Sequence, residues 1–159
     1  MGLKEELKLY KEIDTAEHEC LMNIVYTANL LSKAGYKFFA SFGVTETQFN
    51  ALMQLKYSEA EGVSQVVLSG RLLVNKADIS GIIDRLEKQG MVERLAHGSD
   101  RRVKIVRITK KGMAVLKDCE AKYFKHVEQI MKEVTPARLK ETVSGLELMR
   151  ANMREGGLV

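Results

Sequence analysis

The chain has only two cysteines and one proline in 159 residues. Cys20 and Cys119 lie far apart with no Cys-x-x-Cys pair, so their spacing offers no disulfide framework and fits a reducing compartment. No apolar run approaches the roughly 18 to 20 residues that a spanning helix needs. The charged start, Met1-Gly-Leu-Lys-Glu-Glu-Leu-Lys, lacks a signal peptide's apolar core. The expectation is a cytoplasmic protein with no membrane association. His18, Glu19 and Cys20 lie together near Glu17, and His126 is a further candidate ligand. There is no His-Glu-x-x-His and no cysteine pair at ligand spacing, so no metal site is expected. Gly-x-Ser-x-Gly, a phosphate-binding glycine loop and paired carboxylates beside an obvious cleft are also missing, which leaves an enzyme without its machinery and a cofactor without its site.

Hydrophobic residues make up 45% of the chain, enough for a real core and too many for disorder. Its net charge of +4 is unevenly spread. Ser64 to Gly112 holds eleven Lys/Arg against five Asp/Glu, a net of +6, and the remainder holds fourteen against sixteen, a net of −2. A localised basic surface of this kind suits a polyanionic partner.

Periodicity predicts a mainly helical chain interrupted once. Residues 3 to 12 suit a short first helix. Asp14 followed by Glu17 suits the start of a helix running to about Ser41, with Leu21, Ile24, Val25, Ala28 and Leu31 at helical spacing. Phe42-Gly43 breaks that pattern, and Thr45 with Gln48 three residues later forms a capping box for a helix toward Tyr57, ended by Glu61-Gly62. Thr109 can cap a long helix through about Glu133. Pro136 after Thr135 suits the first turn of a last helix, which ends near Arg154. Leu139, Val143, Leu146, Met149 and Met153 recur every three or four residues along it, predicting one buried stripe.

Between Ser64 and Gly112 the order is a short helix, a tight turn, a second helix ending in glycine, and a basic hairpin, the order of a winged helix-turn-helix for duplex DNA. In Asn75 to Gln89 the residues Ile79, Ile82, Ile83 and Leu86 fall at i, i+3, i+4 and i+7, forming an apolar stripe. The opposite face then holds Ala77, Gly81, Asp84 and Lys88, flanked by Lys76, Asp78, Ser80 and Arg85. Gly81 inside a helix costs about 1 kcal/mol relative to alanine. Either close approach of the backbone to a DNA groove or tight packing against protein would account for it. Asn75 is a good N-cap, and Asp78 three residues on either satisfies a backbone amide or faces DNA.

Met91 to Leu95 and Val103 to Ile108 read as two strands around a wing, Ala-His-Gly-Ser-Asp-Arg-Arg. Arg101 and Arg102 suit the minor groove or a phosphate, Asp100 suits a guanidinium partner, and His97, Ser99 and Lys104 complete the candidate contact set. A solvated charged loop is the alternative reading of such a run when it stands alone.

The segment Leu73-Val-Asn-Lys-Ala-Asp-Ile-Ser-Gly-Ile-Ile-Asp-Arg-Leu-Glu-Lys-Gln-Gly-Met-Val-Glu-Arg94, with Asp100-Arg101-Arg102 and Ile108-Thr109-Lys110-Lys111-Gly112, resembles the multiple antibiotic resistance regulator (MarR) family. The resemblance implies a dimeric transcription factor, usually a repressor, of mainly α fold with a small β-hairpin wing. It implies that Lys76, Ala77, Ser80, Gly81 and Arg85 enter the major groove and that Asp100 and Arg102 form the wing signature. Leu73 and Ser69 depart from the common glycine and alanine of helix-turn-helix proteins.

The first and last helices carry more apolar stripe than a small winged helix can cover, so a second copy is expected to cover it. Residues 1–43 and 113–159 would then form a helical dimerisation region, and 44–112 the DNA-binding domain. Two-fold symmetry predicts a pseudo-palindromic operator with half-sites about 10 base pairs apart. Tyr36, Phe38, Phe39, Phe42, Phe49 and Tyr57 cluster where the resembled family often holds a small phenolic or carboxylate effector; for most of them a core role is the other reading. Some relatives in that family sense oxidants through a cysteine near the start of the first helix, a role Cys20 would fill beside Tyr26 and Tyr36. Otherwise Cys20 is a partly buried structural cysteine. A winged-helix protein-protein adaptor is the rival class.

Overall fold

The structure, a computed structural model, describes residues 2–58, 62–72, 76–96 and 104–159, and for Lys76, Ala77 and Ala96 the backbone alone. Seven helices and three strands are described: α1 (Leu3–Leu7), α2 (Ala16–Ala40), α3 (Glu46–Lys56), β1 (Val63–Ser64), α4 (Gln65–Arg71), α5 (Lys76–Lys88), β2 (Val92–Ala96), β3 (Lys104–Ile108), α6 (Lys110–Ile130) and α7 (Pro136–Glu155). The chain is mainly helical with a small antiparallel sheet, as the pattern predicts. It divides into two compact units, Met1–Cys119 and Glu120–Val159.

Local chemistry sets most boundaries in the first unit. α3 begins in a complete capping box: the Gln48 N–H donates to Thr45 Oγ1 at 3.2 Å, and the Thr45 N–H donates to Gln48 Oε1 at 2.8 Å. The cap of α2 is Thr15, whose hydroxyl accepts from the His18 N–H at 3.2 Å, and not Asp14. Both residue types cap well, and a shift of one residue puts His18, not Glu17, at the third helical position. α1 is shorter than residues 3 to 12 suggest, because Lys8 turns left-handed at φ 53° and closes it. α3 ends at Lys56 with Tyr57 as its C-cap, several residues before Gly62.

The sheet has three strands in the order β1-β3-β2, with one more strand than the hairpin reading contains. Val92 to Ala96 pairs with Ile108 to Lys104, and Val63 and Ser64 pair with Val106 and Ile105 on the other side. Two residues are too few to show a period of two, which is why β1 leaves no pattern in the sequence. Its entrance needs Gly62, at φ 88°, where a Cβ would stand 2.5 Å from the Val106 carbonyl oxygen. The core gathers Leu52, Leu68, Ile79, Ile83, Leu86, Val106, Leu116 and Cys119, all nearly inaccessible. Phe39 and Phe49 join it with ring centroids 5.0 Å apart.

In the second unit, Glu133 at φ 69° follows the end of α6 at Ile130, a turn earlier than the pattern suggests. Thr135 caps α7 by accepting from the Arg138 N–H, and Pro136 occupies the first turn. The predicted stripe of α7 is not buried in the chain. Leu139, Val143, Met149 and Met153 are exposed and Leu146 is half-buried. Periodicity reports an apolar face but not what covers it.

Candidate nucleic-acid interface

α4 and α5 are the two helices of the helix-turn-helix, and α5 presents two different sides. Ile79, Ile82, Ile83 and Leu86 are buried, which anchors the helix on the first unit's core. Asp78, Asp84, Arg85 and Lys88 are exposed, and Ser80 and Gly81 are half-buried. A Cβ built on Gly81 meets nothing within 4 Å. Among the described residues of this chain, tight packing does not account for a glycine there. The helix carries the roughly 1 kcal/mol cost of glycine at a position that the described residues leave open.

Several basic residues of the region are already engaged. Arg107 pairs across the sheet with Glu93, its register partner, through Nε at 2.9 Å. Arg94, on β2, reaches back to α5: its guanidinium donates to Asp84 Oδ1 and Glu87 Oε2, and its backbone N–H donates to Glu87 Oε1 at 3.2 Å. Burial opposes the charge on Arg94, while the hydrogen bonds and the charges of Asp84 and Glu87 favour it, and its pKa is raised. A raised pKa in the folded state means stability that is present at neutral pH and lost only as the pH climbs through the guanidinium's strongly alkaline range. The net +6 of the region thus overstates the charge available to a partner. Asp84, placed by periodicity on the open face, is held by this pair. Carboxylates at i and i+3 followed by an arginine on the next strand were the available signal for the cluster.

The base of the hairpin is tied to the end of α5. Thr109 Oγ1 donates to the Gly90 carbonyl at 2.7 Å and accepts from the Gly112 N–H at 3.1 Å. Lys111 Nζ donates to the Gln89 carbonyl at 2.7 Å. A Cβ on Gly112 would stand 2.1 Å from the Met91 carbonyl oxygen, so only glycine lets α6 start so close to the sheet. Lys104 is exposed at the start of β3. His97, Ser99, Asp100, Arg101 and Arg102 lie outside the described residues, as do the expected cap Asn75 and turn residue Leu73. The side chains of Lys76 and Ala77 are also outside them.

The MarR family model matches residues 44–104, which run from the residue before the capping box to the first residue of β3. Over these residues the chain is similar to the MarR family. The HTH-type transcriptional repressor YetL of Bacillus subtilis (strain 168) is 27% identical over 130 residues, covering 82% of this chain and 78% of the relative. Among solved structures, the MarR family transcriptional regulator AbsC of Streptomyces coelicolor superposes with a TM-score of 0.79 at 22% identity, over 91% of this chain and 99% of that one. The S. aureus MepR-DNA complex superposes with a TM-score of 0.75 at 16% identity, over 89% of this chain and 99% of that one. At those identities the two structures show the shared fold.

Beside this winged helix, the C-terminal end of α2, the start of α3 and the end of α5 enclose an open cavity of about 660 Å³. Tyr36, Val44, Thr45, Arg85, Lys88 and Gln89 are among its lining residues. Gln89 Nε2 donates to the Gly43 carbonyl at 3.1 Å, and its buried Oε1 has no hydrogen-bond partner among the described residues. Of the aromatic residues singled out by sequence, Tyr36 lines the cavity, Phe39 and Phe49 are core, and Phe38 and Phe42 pack in the same ring cluster. Tyr57 is exposed, with Lys56 Nζ 5.0 Å from its ring centre.

Cys20 is exposed on α2, which corrects the partly buried reading, and Cys119 is buried. Among the described residues no group of three or more His, Cys, Asp or Glu side chains is placed to hold a metal ion. No helix among them is long and apolar enough to cross a membrane.

Proposed function

We propose that the chain is a homodimeric, sequence-specific DNA-binding regulator of transcription, a repressor acting in the cytoplasm and not an enzyme. α5 reads the major groove through Lys76, Ala77, Ser80, Gly81 and Arg85, with Asp78 beside them. The wing residues His97, Ser99, Asp100, Arg101, Arg102 and Lys104 anchor to the backbone or the minor groove. The observation that carries this reading is the open space over Gly81, opposite a fully packed isoleucine stripe. A glycine retained at a helical cost suits a surface against which another backbone must lie closely.

Residues 44–112 form the DNA-binding domain in this reading, and 1–43 with 113–159 the dimerisation region. The stripe of exposed Leu139, Val143, Met149 and Met153 with half-buried Leu146 favours self-association, since so much apolar surface is costly in water. Two-fold symmetry then selects a pseudo-palindromic operator with half-sites about 10 base pairs apart. The cavity suits a small phenolic or carboxylate effector. Arg85 and Lys88 can meet a carboxylate, and Tyr36 and Val44 offer apolar wall. Because Arg85 serves both this cavity and the reading face, effector and DNA compete for it, and binding of one weakens the other.

Fluorescence anisotropy with the chain's own upstream DNA tests the proposal. The expected result is salt-sensitive binding at least about 10³-fold tighter than to random duplex. Arg102→Ala should weaken binding to all duplexes and reduce the salt slope by about 1. Absence of binding across a range of DNA would overturn the proposal in favour of a protein-protein adaptor.

A further inference from the structure

We propose that Arg94 is a positioning residue for sequence readout, and that the Asp84–Arg94–Glu87 cluster fixes the roll of α5 about its axis. The proposal rests on DNA reading by α5. Arg94 belongs to β2, while Asp84 and Glu87 sit one turn apart on the flank of α5 that also carries Ser80. One residue thus spends two guanidinium nitrogens and its backbone N–H on two carboxylates of the neighbouring element. Its Nε is buried with no hydrogen-bond partner among the described residues, so the two carboxylates hold the guanidinium through its two terminal nitrogens alone. The Arg94 side chain is 21% exposed, against 54% for Asp84 and 39% for Glu87.

A buried stripe of aliphatic side chains tolerates small rotations, because dispersion contacts have little directionality. A planar fork on two acceptors does not. At a side-chain radius of about 5 to 6 Å, a roll of about 20° moves a tip by about 2 Å, more than a base-edge hydrogen bond accepts. Phosphate contacts through long lysines and arginines survive such a shift, because they need charge more than exact geometry. Loss of the cluster therefore separates two quantities that simple charge arguments move together. Sequence-selective affinity falls while affinity for random duplex does not.

The test compares wild type, Asp84→Asn and Arg94→Lys in anisotropy titrations. One duplex is selected from a random library by the wild-type chain and the other has random sequence; circular dichroism checks the fold. Removing the half-exposed charge of Asp84 lowers repulsion from phosphates, so electrostatics alone predicts tighter binding to both duplexes. Positioning predicts that Asp84→Asn weakens the selected duplex by about tenfold and leaves the random one equal or tighter. Arg94→Lys keeps the charge but not the fork, and should show the same split. Equal tightening of both duplexes by Asp84→Asn, or wild-type behaviour of a folded Arg94→Lys, overturns the proposal. Should Arg94→Lys not fold, Asp84→Asn decides alone. A wild-type chain that binds no duplex overturns the DNA-reading function itself, and this inference with it.

Discussion

α5 and α7 carry apolar residues at the same helical spacing, and the protein treats them oppositely. In α5 the stripe Ile79, Ile82, Ile83 and Leu86 disappears into the core, and the side left over is small, polar and open at Gly81. In α7 the stripe from Leu139 to Met153 faces outward, and no residue of the helix is buried. The first helix gets its stability from its own chain and has a face to spare for a ligand. The second has an apolar face that no described residue buries. In the proposed reading, equal periodicity serves a reading surface in one place and a self-association surface in the other.

Substitution should separate the two. Leu86→Ala empties a fully buried site and should cost about 2 to 5 kcal/mol in urea unfolding. A loss below about 1 kcal/mol would mean that α5 is not anchored by its stripe. Val143→Asp together with Met149→Asp should weaken self-association by about 2 kcal/mol or more in sedimentation equilibrium. If the oligomeric state stays unchanged, α7 is not the interface. The smallest effect belongs to Cys20→Ser. An exposed cysteine without a structural role should change stability by less than about 0.5 kcal/mol and leave DNA binding unaltered under reducing and mildly oxidising conditions. Oxidant-dependent DNA binding that the substitution abolishes would assign Cys20 a sensing role instead.

Features governed by local rules were legible in the sequence. The Thr45–Gln48 capping box, the proline turn at Pro136 and the buried side of α5 all depend on residues within one or two turns of each other. Features governed by distant partners were not. β1 exists because Val63 and Ser64 meet Val106 and Ile105 some forty residues later, and two residues carry no pattern. Arg94 and Arg107 count as basic residues in any charge sum, yet each is held by carboxylates that folding brings alongside. The cap of α2 fell one residue from its expected place because Asp14 and Thr15 are both competent caps and only the hydrogen bond to His18 distinguishes them. Gly81 was legible as an anomaly, and among the described residues of this chain the space above it is empty.

The claim that the open side of α5 is a reading surface is tested most directly by Gly81→Leu, measured at once in thermal unfolding and in operator titration. Leucine is a better helix former by about 0.8 kcal/mol and its first carbon meets no atom of the described residues, so stability should hold or rise. Operator affinity should fall at least about tenfold, because the side chain fills the space reserved for the groove. A Gly81→Leu protein that is as stable as wild type and binds the operator just as tightly would contradict the account.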